Sequence, residues 1–260
     1  MNSTGRIPRA VVPPAQLAPS PLEGEGWGGR YSSQSEPVAL PPSRTAARSD
    51  LPLKGGGEER LHPADQLIIV SGIALVADIA GALYWPQEGL LVVADLHLEK
   101  GSSFAVRGAL LPPYDTPDTL ARLGWLIARY APRTVIALGD NFHDGKGAAR
   151  LSAVDKETLA GLQRRREWIW ITGNHDPDPV DGIGGTFAET IAVGPLTFRH
   201  QAAPTDYDGE ISGHLHPVAV VAVRGRGVRR RCFVADARRL VMPAFGAYAG
   251  GQQRETPGVR

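Results

Sequence analysis

The chain has 260 residues, a formal net charge of +1 and 42% hydrophobic residues, which is sufficient for one globular domain with a full core. The near-neutral charge gives no general case for a polyanion partner, and the single cysteine, Cys232, excludes an intramolecular disulfide and fits a reducing cytoplasm. The longest apolar stretch, 67–83, is broken by glycines and polar residues. This pattern excludes a transmembrane helix there, and no secretory signal is evident.

The start of the chain differs in composition from the rest. Residues 1–62 are rich in Pro, Gly and Ser and show no sustained apolar periodicity. Such a segment cannot bury enough apolar surface to offset the entropy that is lost on ordering. We therefore predict a disordered extension over 1–62, a folded domain over 63–251 and a flexible tail over 252–260.

Apolar runs bounded by turn residues predict a series of short strands in the first part of the domain. These strands are 66–70, 73–76, 82–85, 90–94, 134–138 and 168–172. Asp115-Thr116-Pro117 predicts the start of a helix, with a capping residue type ahead of a proline in the first turn. The buried face of that helix is formed by apolar residues at helical spacing, namely Leu120, Leu123, Ile127 and Tyr130. A second helix is predicted over 153–166.

Strands and helices alternate here, which predicts parallel strand pairing with right-handed crossovers. After Gly185 the helical signals fade, and the remaining apolar segments predict strands of a second sheet. These strands are 197–200, 210–212, 218–223, 231–235 and 240–242. We expect Cys232 to lie on strand 231–235 as a small core residue. The predicted fold class is therefore α/β, a two-sheet βαβ sandwich with helices on the outer faces.

Five short segments that carry histidines and carboxylates follow one another in a fixed order and contain six of the seven histidines. They are Asp95-Leu-His97, Gly139-Asp140-Asn-Phe-His143-Asp144, Gly173-Asn174-His175-Asp176, His200 and Gly213-His214-Leu-His216. Three of them follow apolar strand-like runs, so their side chains should converge at the carboxyl edge of a sheet. Aspartate and imidazole suit divalent Mn, Fe or Zn, and a pair of such ions is suited to phosphoryl chemistry.

This ordered set of motifs resembles the calcineurin-like metallophosphoesterases from Asp95 to His216, and the flanking strands extend the resemblance to 67–251. Three further segments, at 94–101, 108–116 and 243–248, are similar to one bacterial branch, the ligase-associated DNA damage response endonucleases. The resemblance implies a sandwich of the metallophosphoesterase type and a cytoplasmic phosphodiesterase that acts as a DNA endonuclease in repair. It also implies in-line attack on phosphorus by a metal-bridging hydroxide.

The resemblance further implies two divalent metal ions, with Mn²⁺ favoured and Fe or Zn as alternatives. It assigns Asp95, His97 and His216 to the first ion, Asn174, His200 and His214 to the second, and Asp140 as the bridge between them. His175 would donate a proton to the leaving oxygen. Asp176 would orient His175 and raise its proton affinity, as a carboxylate beside an imidazole does.

Several of these residues have a second interpretation. A single histidine on a strand, such as His200, is often a core residue, although no other histidine lies between His175 and His214. His143 stands where the superfamily often has a carboxylate, and either contacts substrate or supports the ligands. Lys100 and Arg107 belong to the branch-specific region. They would bind a substrate phosphate or remain surface cations.

The sequence leaves more than one function open. Besides a DNA endonuclease, the same fold can be a nucleotide or small-molecule phosphodiesterase, or a phosphomonoesterase. A non-catalytic scaffold is disfavoured because every expected ligand is present. Between 201 and 260 there are nine arginines and five acids, which form either a solvated surface or a track for nucleic-acid phosphates. The resemblance implies DNA as the substrate and an ATP-dependent DNA ligase, a helicase and a nuclease as functional partners, without a membrane.

Overall fold

The computed structural model describes residues 65–204, 207–223 and 226–250. The predicted disordered extension over 1–62 and the predicted flexible tail over 252–260 lie outside these residues. None of the helices found in the described part combines the length and the apolar character that crossing a bilayer requires.

The order of the strands agrees with the sequence pattern through β6. The strands are β1 Gln66–Val70, β2 Ile73–Ala77, β3 Leu83–Trp85, β4 Leu90–Val93, β5 Thr134–Leu138, β6 Glu167–Ile171, β7 Thr186–Ala188, β8 Thr190–Val193, β9 Leu196–Arg199, β10 Glu210–Ser212, β11 Val218–Val223, β12 Arg226–Arg231, β13 Val234–Ala235 and β14 Arg239–Val241. The helices are α1 Lys100–Val106, α2 Asp115–Tyr130, α3 Gly147–Arg150 and α4 Ala153–Gln163.

The first sheet has the strand order β1-β2-β3-β4-β5-β6-β7. Strands β1 to β4 pair antiparallel, whereas β4, β5, β6 and β7 pair parallel, with Val92 opposite Ile136 and Ile136 opposite Ile169. Every residue of β4 and β5 is buried, as expected for parallel strands that are covered on both faces. The carboxyl ends of β4, β5 and β6 therefore meet at one edge of the sheet.

The second sheet has the order β13-β14-β10-β9-β8, in which β9, β10 and β14 run parallel. One core lies between the two sheets and includes Leu138 and Ile171 of the first sheet and Phe198 and Ile211 of the second. The other core lies between the first sheet and the helices, which contribute residues such as Leu123. The predicted two-sheet α/β sandwich with helices packed on the outside is confirmed.

Strands β11 and β12 correct the prediction for the arginine-rich region. The segment 218–223 is a strand, but it pairs only with β12 in a separate two-stranded sheet instead of joining the second sheet. The predicted strand 231–235 is interrupted: Cys232 is half-buried between β12 and β13, and its amide donates to the Pro217 carbonyl at 3.1 Å. The sequence did not indicate β12, because arginine and glycine are not typical strand residues.

Two helical features also differ from expectation. Helix α1 was missed because its sequence, Lys-Gly-Ser-Ser-Phe-Ala-Val, has residues of low helix propensity. Helix α2 starts at Asp115 as predicted, but its N-cap is Tyr114 and no side chain caps it. The Asp115 carboxylate instead accepts a hydrogen bond from the Gly101 amide at 2.9 Å and so joins α2 to α1. The predicted buried face of α2 is confirmed.

A buried ionic cluster attaches α2 to the first two strands. The Arg129 guanidinium contacts the carboxylates of Asp65 and Asp78, each at 2.5 Å, and both carboxylates are fully buried. The Tyr130 hydroxyl donates to Asp78 at 2.7 Å, and its ring stacks on Tyr84 with 4.3 Å between centroids. Because a buried charge without a partner is costly, these groups depend on one another.

We expect Asp78→Ala to lower the free energy of unfolding by about 3 kcal/mol, since it leaves Arg129 with one carboxylate and Tyr130 without its acceptor. Urea denaturation followed by circular dichroism measures the change. The matched control is Glu157→Ala on the exposed face of α4, which should alter stability by no more than about 0.5 kcal/mol. If Asp78→Ala lowers the free energy of unfolding by less than about 1 kcal/mol, Arg129 and Tyr130 do not depend on Asp78 as proposed.

Candidate metal centre

All seven predicted ligands lie on loops that follow the carboxyl ends of strands. They are Asp95 and His97 after β4, Asp140 after β5, Asn174 after β6, His200 after β9, and His214 and His216 after β10. Both sheets therefore present these loops at the same end of the sandwich, where functional loops of parallel sheets gather. The structure brings together residues that are up to 121 positions apart in the chain, from Asp95 to His216.

The backbone at these residues has an unusual conformation. Five of the seven candidate ligands have a positive φ, with values of 53°, 43°, 47°, 68° and 45° at Asp95, His97, Asp140, His214 and His216. Residues other than glycine occupy this left-handed region at a cost of roughly 1–2 kcal/mol each. Interloop hydrogen bonds hold the conformation, such as the one from the His97 amide to the Asp140 carbonyl at 2.8 Å.

Glycines in three of the motifs allow the loops to approach one another. A Cβ atom on Gly139 would lie 2.6 Å from the His200 ring, and one on Gly213 would lie 2.7 Å from Asp95 Oδ2. A Cβ atom on Gly173 would overlap the amide and carboxylate of Asp140. These glycines are therefore required for close packing of the ligand loops, rather than for flexibility.

The first group of candidate ligands, the Asp95 cluster, consists of Asp95, His97 and His216. His216 Nε2 lies 3.3 Å from Asp95 Oδ1 and 3.4 Å from His97 Nε2, and the three ligand atoms lie within 4.8 Å of one another. Burial lowers the pKa of His97 to about 3, although the Asp140 carboxylate opposes the shift. The His97 imidazole is therefore neutral and offers the lone pair that metal binding requires.

The second group, the His200 cluster, consists of Asn174, His200 and His214. His200 Nδ1 lies 2.9 Å from the Leu138 carbonyl, which only accepts hydrogen bonds, so this nitrogen carries the proton. The other nitrogen, Nε2, faces Asn174 Oδ1 at 3.0 Å and His214 Nδ1 at 3.1 Å. The lone pairs of Asn174, His200 and His214 therefore converge, and a divalent cation suits these nitrogen and oxygen donors.

Asp140 lies between the two clusters and has one oxygen directed to each. Its Oδ2 atom is 3.8 Å from His97 Nε2, and its Oδ1 atom is 3.4 Å from His200 Nε2. Burial raises the pKa of Asp140, but the hydrogen bond and charge of His200 outweigh burial and lower the pKa to about 2. Asp140 is therefore an anion at neutral pH.

The same electrostatic attraction acts on His200. Burial lowers the pKa of His200, but the hydrogen bond and charge of Asp140 outweigh burial, so the net pKa is raised. A positive charge is thus favoured between Asp140 and His200, and a divalent cation would supply it when bound.

His175 stands beside the clusters with a 38% exposed side chain. Its Nε2 atom is 4.0 Å from Asp140 Oδ2, and its Nδ1 atom is 2.8 Å from the His143 carbonyl. The Asp176 carboxylate, in contrast, accepts hydrogen bonds from the amides of Asn141 at 2.8 Å and Gly173 at 3.1 Å. The prediction that Asp176 orients His175 is therefore wrong: the His143 carbonyl orients it, and Asp176 joins two ligand loops.

The three predicted substrate-binding residues lie on the same side of the centre. The His143 ring stacks on His175 with 5.3 Å between centroids. Its pKa is lowered to about 4, mainly by burial and then by the charges of Lys100, His175 and Arg107. Lys100 Nζ donates to the Tyr248 carbonyl at 3.2 Å, and the Arg107 guanidinium donates to Ser103 Oγ at 3.3 Å. Helix α1 thus brings two cations to the edge of the centre.

Sequence reasoning missed the contact that holds His143 in place. Arg150 on α3 forms two hydrogen bonds of 2.9 Å with the carboxylate of Asp144, and its Nε donates to Ser102 on α1 at 2.8 Å. Burial opposes ionisation of Asp144, but the Arg150 bonds hold its pKa well below the usual range. The six-residue separation of Asp144 and Arg150 follows no helix or strand period, so no sequence signal indicated this pair.

The segment 243–248 packs in the core and supports the ligands from behind. Phe245 is fully buried, and the Gly246 amide donates to the Asp95 carbonyl at 3.1 Å. Arg122 and Arg231 both donate to the Phe245 carbonyl, at 2.8 Å and 3.1 Å. This segment therefore fixes the backbone of Asp95. The Phe245 side chain packs in the core and does not line the site.

Comparisons with known proteins agree with this geometry. The model of the calcineurin-like phosphoesterase family matches residues 90–231. The crystal structure of Pseudomonas putida nuclease MPE is similar to this chain, with 30% sequence identity and a TM-score of 0.60. The similarity covers 75% of this chain and 94% of that one. A search of curated proteins gives no match.

We expect Gly173→Ala to weaken binding of divalent cations about 10- to 100-fold, because the added methyl group displaces Asp140. The matched control is Gly145→Ala on the neighbouring loop, where a Cβ atom has nothing within 4 Å. Titration with Mn²⁺ followed by isothermal calorimetry measures the affinity. Equal affinities in the two variants would show that the close approach of Gly173 is not needed for metal binding.

Proposed function

The chain belongs to the calcineurin-like phosphoesterase family and is a metal-dependent hydrolase of phosphoesters, and we propose that it is a DNA endonuclease that acts in DNA repair. The observation that carries the proposal is the pair of ligand clusters that share Asp140, with the exposed ring of His175 beside them. The similarity to a nuclease structure supports a polynucleotide substrate.

We assign the ligands of a dinuclear metal centre from this geometry. The Asp95 cluster would hold one ion, the His200 cluster would hold the other, and Asp140 would bridge them. When bound, two divalent ions lower the pKa of a water molecule and neutralise charge on phosphoryl oxygens. We propose Mn²⁺ as the native metal, with Fe or Zn as alternatives, because the donors are nitrogen and oxygen and no thiolate takes part.

The side chains around the centre would move the proton and hold the substrate. His175 keeps its Nδ1 hydrogen on the His143 carbonyl, so its Nε2, which faces the centre, would carry the proton that goes to the leaving oxygen. Lys100, Arg107 and His143 would bind non-bridging oxygens of the phosphate. Asp176 would keep the Asp140 and Asn174 loops together through the Asn141 and Gly173 amides.

The cellular setting is also a proposal. The segments 94–101, 108–116 and 243–248 are similar to the ligase-associated branch of the family, which supports a cytoplasmic role alongside an ATP-dependent DNA ligase, a helicase and a nuclease. Co-purification of the native protein with such a ligase would test this association.

We expect His175→Ala to reduce kcat on a single-stranded oligonucleotide by about 10²- to 10⁴-fold, since the leaving oxygen loses its proton donor. Metal content should stay unchanged, because His175 is not one of the seven assigned ligands, although one of its ring nitrogens lies within 4.8 Å of ring nitrogens of His97 and His143. Asp140→Asn, in contrast, should lose both activity and metal. Initial rates with Mn²⁺ and elemental analysis distinguish the two variants, and a fully active His175→Ala would exclude the assigned role.

We expect the protein to prefer a phosphodiester to a phosphomonoester, because the anionic Asp140 carboxylate disfavours the extra negative charge of a monoester. Hydrolysis of bis-p-nitrophenyl phosphate should exceed that of the monoester about tenfold, equivalent to ~1.4 kcal/mol. A chelator should abolish hydrolysis, and added Mn²⁺ should restore it. A strong preference for the monoester would instead favour a phosphomonoesterase of the same fold.

A further inference from the structure

The ribbon formed by β11 and β12 belongs to neither large sheet. An isolated two-stranded ribbon is only marginally stable in water. The presence of such a ribbon directly after the candidate metal ligands therefore suggests a function for it. Its described side chains are largely open to solvent: Val220 is 67% and Val221 is 48% exposed, and Arg229 and Arg230 are exposed as well.

Hydrogen bonds attach the base of the ribbon to the segment that supports the metal ligands. Strand β11 starts two residues after the candidate ligand His216, and Val218 pairs with Arg231 at the base. The Arg231 guanidinium donates to the carbonyls of Gly246 at 2.8 Å and Ala247 at 3.3 Å, next to the Gly246 amide that holds Asp95. The ribbon therefore has a fixed position relative to the ligands.

The arginines of β12 lie on different faces of the ribbon. Cross-strand partners share a face, and so do alternate residues of one strand. Arg229, the partner of Val220, thus lies on the same face as Arg231, whereas Arg230 lies on the other. Because Arg231 contacts the segment that supports Asp95, this face of the ribbon adjoins that segment. Arg229 lies two residues further out, about 7 Å from the base.

Arg229 and Arg230 have no carboxylate partner among the residues that the structure describes. From Ile211 to Ala235 the sequence has five arginines and no acidic residue. Among the described residues, no carboxylate lies within ion-pair distance of Arg229, and Arg230 donates only to the Arg229 carbonyl, at 3.0 Å. Exposed guanidinium groups beside exposed valines suit a phosphodiester backbone, whose phosphates bind arginine and whose sugars are partly apolar.

We propose that β11 and β12 form an arm that binds the nucleic-acid backbone next to the cleaved phosphodiester, with Arg229 as the principal contact. This inference rests on the proposed function, since a polynucleotide is the substrate with phosphates on either side of the cleaved bond.

The test compares the wild type with R229Q, R230Q and R229Q/R230Q, in which glutamine keeps most of the side-chain length and removes the charge. R164Q/R165Q is the matched control, because it removes the same charge from exposed residues just before β6, at the opposite end of the sheet from the ligands. Fluorescence anisotropy with a labelled single-stranded 20-mer, in chelator and at several salt concentrations, measures binding without cleavage. Thermal unfolding confirms that each variant is folded.

We expect R229Q/R230Q to bind the oligonucleotide about tenfold more weakly and to reduce the salt dependence of log Kd by about 1. R229Q should account for most of the loss, and R164Q/R165Q should change Kd less than about twofold. Wild-type affinity in R229Q/R230Q, an equal loss in the control, or a larger loss in R230Q than in R229Q would overturn the assignment.

These measurements distinguish failure of the proposed arm from failure of the proposed function. If the wild type cleaves DNA but R229Q/R230Q binds like the wild type, the arm is wrong and the nuclease stands. If the wild type hydrolyses bis-p-nitrophenyl phosphate but neither binds nor cleaves DNA, both the arm and the DNA substrate are excluded. If it hydrolyses neither substrate while binding depends on Arg229, the arm stands and the nuclease does not.

Discussion

The position of one carboxylate, that of Asp140, is the constraint on which the rest of the site depends. Its two oxygens face His97 at 3.8 Å and His200 at 3.4 Å, so both ligand clusters are defined relative to it. The anion is buried, and burial alone would raise its pKa, but the imidazole of His200 keeps it ionised. The loops that follow strands of both sheets place their donor atoms around this one carboxylate.

Support for that charge comes from backbone groups as much as from side chains. The His175 amide donates to Asp140 at 2.9 Å, and the absence of a side chain at Gly173 leaves room for the carboxylate. The Asp176 carboxylate accepts hydrogen bonds from the amides of Asn141 and Gly173 and so joins the loops after β5 and β6. Strained φ values at the ligands persist because these contacts overdetermine them.

Charge changes with distance from the centre. Asp95 and Asp140 lie at its middle, imidazole rings surround them, and the cations Lys100 and Arg107 stand at the margin. Further out, the ribbon adds exposed arginines with no carboxylate close to Arg229 among the described residues. Such a gradient would favour a divalent cation at the middle and a phosphate group at the margin.

Sequence alone determined the α/β class and the bounds of β1, β5, β10 and β11, because strand periodicity needs only local patterns. The seven ligand candidates followed from the ordered motifs and from the family that they resemble. Tertiary structure decided that Asp176 binds loop amides while the His143 carbonyl orients His175, and that β11 pairs with β12 outside the second sheet. It also decided the pairing of Asp144 with Arg150 and the left-handed backbone of the ligands. These features arise from contacts between segments distant in the chain, and they override the local preferences from which a sequence pattern is read.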